Sequence, residues 1–181
     1  MLDVGCRRDP FVAYGRDIGI ESEGFDFSEW AISNSYSRCK KEWIRIHDAT
    51  QRWPYPDRKF DLVVVLDLFE HMYIDDIEFV TNEMYRCTSK WVFLQIAVSG
   101  SGDLQGNTSY MLSKDSPVPV ELESCTVAGH VTVQPESFWH KKLNRSNWIL
   151  RKDIVNQFCS IVPNDVIANW LLNSIIVMEK I

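Results

Sequence analysis

Acidic residues recur at one kind of place in this sequence. Asp3, Asp26, Asp48 and Asp67 each stand at or beside the carboxyl end of a short apolar run. An ionised carboxylate only accepts hydrogen bonds, and its two oxygens suit a pair of neighbouring hydroxyls. Asp26 lies about 20 residues past the first turn, the spacing at which a strand-end carboxylate takes the hydroxyls of a nucleoside ribose. Phe27 and Ser28 follow it directly. Asp48, with Ala49 beside it, is placed to accept from an adenine amino group. Leu66-Asp67 closes the strongest apolar run, and Glu70-His71 come soon after. His71 and His130 carry imidazoles, which exchange protons near neutral pH, and are the candidate general bases. His47 and His140 are less central. Each residue also has a plainer role available. Asp26 can cap the next helix, Glu70-His71 can pair at a helix start, and His130 can orient a loop.

The elements that must position these groups alternate. Leu2–Val4 reads as a strand, 11–18 as a helix, 21–25 as a strand, and Ser28 as the N-cap of a helix opening at Glu29. Further strands are expected at 43–46, at Phe60–Leu66, at 91–98, at Trp148–Leu150 and at 174–178. The Phe60–Leu66 run, rich in β-branched residues without alternation, implies burial on both faces, as in a parallel sheet. Helices are expected behind Asp75-Asp76, over 135–143 and over 153–161. Residues 99–129 are rich in Ser, Gly, Pro and Thr, with Tyr110-Met111-Leu112 as an isolated apolar spot. They read as a long loop or insertion forming an irregular cover near the pocket. The alternation predicts an α/β doubly wound, mostly parallel sheet within a single domain over 1–181. Ligands of such sheets bind at the carboxyl ends of the strands.

Composition narrows the possibilities. At 181 residues, 45% hydrophobic and 24% charged, the chain matches ordinary globular proteins and not a disordered or collagen-like one. Its net charge of −6 argues against a nucleic-acid partner, which needs clustered positive charge. Five cysteines stand far apart with no CxxC pair, so no disulfide framework, zinc knuckle or other metal site is read, and a reducing cytoplasm is the simplest compartment. No apolar run approaches the ~20 residues of a membrane span. Most of the tryptophans should pack in the core. Trp53, in the loop beside Asp48, is the one most exposed to a ligand by position.

Taken in order, these segments resemble the class I S-adenosylmethionine-dependent methyltransferases, in their small-molecule, type 11-like branch. Leu2-Asp3-Val4-Gly5-Cys6 is similar to the family's first motif. Gly24-Phe25-Asp26-Phe27-Ser28 is similar to its second-strand motif, and His47-Asp48-Ala49 with Trp53-Pro54-Tyr55-Pro56-Asp57 to its third-strand loop. Asp67-Leu68-Phe69-Glu70-His71-Met72 resembles its D-x-x-E-H stretch, and Gly129-His130-Val131-Thr132 the His-containing segment after its fifth strand. The resemblance implies a Rossmann-like sheet of seven strands with an antiparallel last strand. It implies S-adenosylmethionine as cofactor, held by Asp3, Gly5, Cys6, Arg7, Asp26, Phe27, Ser28, Asp48, Ala49, Leu66 and Asp67. The implied acceptor is a small molecule or a glycan-type molecule. His71 and His130 would serve as bases.

The sequence departs from the family at the first turn. The usual G-x-G-x-G is here Gly5-Cys6-Arg7-Arg8-Asp9, with only the first glycine present. Arg7 can point out of the turn, and Asp9 either turns outward or pairs with Arg8. A non-catalytic, methyltransferase-like partner or relic therefore stays open as an alternative. A nucleic-acid methyltransferase is less favoured, because no N-P-P-aromatic stretch follows the fourth strand. Relatives carry a helical segment before the first strand, so an N-terminally truncated core without its lid is expected. The oligomeric state is not legible.

Overall fold

The computed structural model describes residues 1–36, 38–100, 109–115, 129–161 and 174–181. Strands β1 (Leu2–Val4), β2 (Glu23–Asp26), β3 (Ile44–Ile46), β4 (Phe60–Leu66) and β5 (Thr88–Gln95) precede a short ribbon of β6 (Tyr110–Met111) and β7 (Thr132–Val133). Strands β8 (Trp148–Leu150) and β9 (Ile175–Lys180) follow. Seven of them form one sheet in the order β3-β2-β1-β4-β5-β9-β8. β1 pairs parallel with both β2 and β4, and β2 parallel with β3. The last strand, β9, runs antiparallel to β8, as expected. Strand order reverses between β1 and β4, which is where an open α/β sheet opens a crevice at its strand ends.

The helices are α1 (Pro10–Asp17), α2 (Glu29–Ser33), α3 (Ile74–Cys87), α4 (Glu136–Leu143) and α5 (Lys152–Ile161). Their starts follow the sequence signals. Ser28 Oγ accepts from the Ala31 N–H and caps α2. Asp75 and Asp76 lie in the first turn of α3 and Arg86 in its last, matching the helix dipole at both ends. No helix among the described residues is long and apolar enough to cross a membrane.

The chain packs as two compact units. The first comprises Met1–Leu66 and Phe79–Val92. Its core contains Leu2, Val4, Phe25, Val63, Val64 and Val65, with Val80 and Met84 of α3. Cys6, Val12, Ala13, Ile32, Cys39 and Ile44 form a neighbouring cluster. The loop at 53–57 is clamped by α3. Glu83 accepts from the Trp53 N–H at 2.7 Å, and Arg86 donates to Glu83, to the Tyr55 and Trp53 carbonyls and to Asp57. The second unit comprises Asp67–Glu78 and Phe93–Ile181. Phe69 packs edge-on to Trp139 at 5.8 Å, and Leu94, Ile96, Leu143 and Ile176 are buried with them.

Two boundaries differ from the sequence reading. β5 begins at Thr88, because α3 runs to Cys87 and feeds straight into the strand. It ends at Gln95, and Val98 instead bridges to Gln134. Tyr110-Met111, expected as an isolated apolar spot, is a strand paired antiparallel with Thr132-Val133. The expectation that 99–129 covers a pocket falls mostly on 101–108 and 116–128, which lie outside the described residues.

Candidate functional site

In the first unit the turn after β1 is strapped to the end of β2. The N–H groups of Gly5 and Cys6 both donate to the Phe25 carbonyl, at 2.9 and 3.1 Å. The turn and the start of α1 press so closely on β2 that a Cβ on Gly24 would stand 2.9 Å from Cys6 Cβ and from Val12 Cγ2. Gly5 takes φ +75°, but so do two residues that pay for it sterically, Arg7 at +51° and Asp9 at +62°. The chain holds the left-handed turn without glycine at either position.

Asp26 organises this turn. Its Oδ2 accepts the Arg7 N–H at 3.0 Å and its Oδ1 accepts the Ser28 N–H at 2.8 Å. The side chain is buried, yet a carboxylate offers about four acceptor sites, so capacity remains for a ligand. The His47 N–H donates to the Asp26 carbonyl and so ties in the end of β3. Phe27, beside it, is 75% exposed.

Two more carboxylates lie close by. Asp3, in the middle of the sheet, and Asp9, at the start of α1, are both buried. Asp9 sits where a helix N-cap should sit, but its side chain caps nothing. Both of its oxygens are buried without a partner among the described residues. Burial, with the charges of Asp9 and Asp26, pushes the Asp3 carboxyl up to about 7. Burial, with the nearby Asp26 charge, pushes the Asp9 carboxyl up to about 6. The Cys6 thiol is raised well above its ordinary range, chiefly by burial, so Cys6 is not a nucleophile here.

Two expectations, those for Asp9 and Trp53, need correction. Asp9 neither turns outward nor pairs with Arg8. It is 0% exposed, and Arg8 Nε donates to the Asn34 carbonyl instead. Arg7 does point outward. Trp53 is not offered to a ligand. It is 1% exposed, with its indole N–H on the Ala49 carbonyl and its ring edge-on to Phe25. Asp48 is exposed, and its Oδ1 accepts from the N–H and hydroxyl of Thr50.

In the second unit, Asp67 takes φ +50° and its N–H donates to the Gln95 carbonyl. The following turn, Phe69–His71, is joined to the segment entering β7. Val131 N–H donates to the Glu70 carbonyl at 2.8 Å, and Thr132 Oγ1 donates to the Met72 carbonyl at 2.7 Å. These two bonds bring His130 to His71. The rings meet edge-on with centroids 4.7 Å apart, and His71 Nδ1 lies 3.3 Å from the Gly129 carbonyl oxygen. Glu70 is 1% exposed; one oxygen accepts the Ala97 N–H at 3.2 Å, and the other is buried without a partner among the described residues. Burial, with the nearby Asp67 charge, pushes its carboxyl up to about 7. One carboxylate oxygen of Glu70 and one ring nitrogen each of His71 and His130 lie within 4.8 Å of one another.

The structure therefore brings Asp3, Gly5, Cys6, Arg7, Asp26 and Ser28 together around one turn, and His71 and His130 together with Glu70. Glu70 as a member of that cluster, and Asp9 as a buried acid, go beyond the sequence reading. The signal in each case was a charged residue at a turn after a buried strand.

Comparison with known proteins gives a consistent answer. A family model described as "Methyltransferase domain" matches residues 2–93, just over half of the chain. A chain of the complex between the Haloferax volcanii Trm112 methyltransferase activator and a methyltransferase is similar at 12% identity. The match covers 99% of this chain and 80% of that one, with a TM-score of 0.64. An S-adenosylmethionine-dependent methyltransferase from Mesorhizobium loti is similar at 14% identity, over 99% of this chain and 90% of that one, with a TM-score of 0.63. Another, from Archaeoglobus fulgidus, is similar at 16% identity, over 99% and 85%, with a TM-score of 0.59. Likeness at these identities speaks for the fold. This chain spans 48% and 62% of the length of two further matched structures.

Proposed function

The chain belongs to the class I S-adenosylmethionine-dependent methyltransferases of the type 11 kind, and from that premise we propose that it methylates a small-molecule or glycan-type acceptor. The observation that carries this reading is the acidic turn. S-adenosylmethionine brings two cationic groups, an ammonium and a sulfonium. Asp9, buried with both oxygens unpartnered beside Asp3, is a site that lacks positive charge and fits such a ligand. When bound, the cofactor supplies an electrophilic methyl group that an acceptor's lone pair displaces.

The residues divide the remaining work. Asp26 holds the ribose hydroxyls with the acceptor capacity left by the Arg7 and Ser28 amides. Gly5, Cys6 and Arg7 lend their backbone to the methionine end, and Asp3 and Asp9 hold its ammonium. Phe27 offers an exposed ring to the adenine, and Asp48, Ala49, Leu66 and Asp67 are assigned to the cofactor by the family resemblance. Glu70, His71 and His130 serve the acceptor. The net charge of −6 favours an acceptor other than nucleic acid.

A second reading is favoured by one observation, the left-handed φ at both Arg7 and Asp9. In it the chain is a methyltransferase-like partner that no longer binds cofactor. Titration calorimetry with S-adenosylmethionine and S-adenosylhomocysteine separates the two. Binding of either at micromolar to millimolar concentration supports the enzyme reading. Failure of both, with binding restored by Arg7→Gly and Asp9→Gly together, establishes the relic.

A further inference from the structure

We propose that Glu70, His71 and His130 form a binding site for one divalent ion of the zinc class. Three observations converge on it. The residues come from two separate segments, held in register by the Val131-to-Glu70 and Thr132-to-Met72 hydrogen bonds. Their ligand atoms gather within 4.8 Å. Glu70 also points a buried oxygen at no partner among the described residues, an arrangement that a bound cation resolves.

The histidine geometry adds a directional argument. A carbonyl oxygen can only accept, so the Gly129 contact selects the tautomer of His71 with its proton on Nδ1. That leaves the Nε2 lone pair for a metal. Metal-bound histidines are commonly fixed this way, by a backbone carbonyl on the opposite nitrogen. Tetrahedral coordination at zinc bond lengths needs donor atoms about 3.4 Å apart. With His71 held on the Gly129 carbonyl, the remaining approach falls to the half-buried His130 side chain.

The donor set states the chemical class of the ion. Two imidazole nitrogens and one carboxylate suit zinc, cobalt, iron(II) or manganese, whereas magnesium and calcium prefer all-oxygen sites. Three protein ligands leave coordination positions open, the arrangement of catalytic rather than structural sites. In the methyl-transfer reading, on which this last step rests, the open positions take an oxygen of the acceptor. The acceptor is then a hydroxyl-bearing molecule.

The test titrates the full chain, freed of metal by chelator and dialysis, with zinc chloride in a calorimeter. Cobalt(II) absorption serves as a second readout. One ion per chain is expected. Glu70→Gln, His71→Ala and His130→Ala should each weaken zinc binding at least about tenfold, by the scale that holds even for outer-sphere partners of metal ligands. His140→Ala, outside the cluster, should not. Circular dichroism and S-adenosylhomocysteine titration of each variant report folding and cofactor binding independently. Loss of zinc binding in variants that keep their fold supports the site. No zinc binding by the intact chain, equal binding by all three variants, or displacement of zinc by equimolar magnesium overturns it. Failure of the cofactor titration alone bears on the methyl-transfer reading and leaves the metal result standing.

Discussion

The amide of Arg7 donates to the carboxylate of Asp26 at 3.0 Å, so one side chain closes the turn after β1 and stands at the end of β2. The residue proposed to grip the ribose is thus also the residue that shapes the loop beneath the methionine end.

Asp26→Ala should therefore injure two properties together. Cofactor affinity should drop by about tenfold or more, the scale of hydrogen bonds to a charged group, and the fold should lose about 1–3 kcal/mol as two amides lose their acceptor. Calorimetry and urea unfolding measure the two. An unchanged affinity in the folded variant removes Asp26 from the cofactor site.

Arg7→Gly should raise stability by up to about 1 kcal/mol, because Arg7 is exposed and holds a φ that costs a side chain but not glycine. Asp9→Gly should stabilise the cofactor-free chain more, since it also removes an unpartnered buried acid. It should nonetheless weaken S-adenosylmethionine binding. Tighter binding by Asp9→Gly would show that Asp9 obstructs the cofactor rather than holding it.

The pH dependence follows from Asp3 and Asp9. Their folded carboxyls titrate at about 7 and about 6, while in the unfolded chain an aspartate titrates near 3.9. The folded state holds protons that the unfolded state has released, so stability is full below about pH 4 and falls as pH rises toward 7. Urea midpoints across that range should show the decline, and Asp3→Asn with Asp9→Asn should flatten it. Cofactor binding should run the other way. A cationic ligand favours the ionised carboxylates, so affinity should rise with pH and binding should release protons, measurable as a buffer-dependent heat.

Arg86→Met should cost about 3 kcal/mol, because it strands Glu83, nearly buried, and frees the carbonyls of Trp53 and Tyr55. Guanidinium unfolding is the measurement. A loss under about 0.5 kcal/mol, ordinary for a surface position, would mean the clamp is not structural.

What the sequence made legible was what local chemistry decides. The Val63–Val65 run reads as a buried strand and Ser28 as an N-cap, and β4 and α2 fall where expected. The strand-end acids followed from fold logic once the alternation was recognised. Asp9 was misjudged because its surroundings are tertiary. An acid beside Arg8 reads as a pair, but Arg8 is drawn to Asn34. Trp53 was misjudged for the same reason, since its proximity to Asp48 in sequence says nothing of Phe25 beneath its ring. Glu70, His71 and His130 were visible singly. Their meeting depends on hydrogen bonds between segments far apart in the chain, which no spacing rule encodes.

The β6-β7 ribbon has a consequence for how this protein can change. Leu112 N–H donates to the Val131 carbonyl at 2.9 Å, so the connection between them leaves and returns at one place. The Leu112 carbonyl accepts from Ile74 N–H, which anchors that gateway to the start of α3. Closing a longer loop costs only about 0.6 kcal/mol per doubling of length. The ribbon therefore acts as a socket. Changes of length placed between Lys114 and Gly129 should come at little thermodynamic expense, while Gly129 and His130 keep their place beside His71.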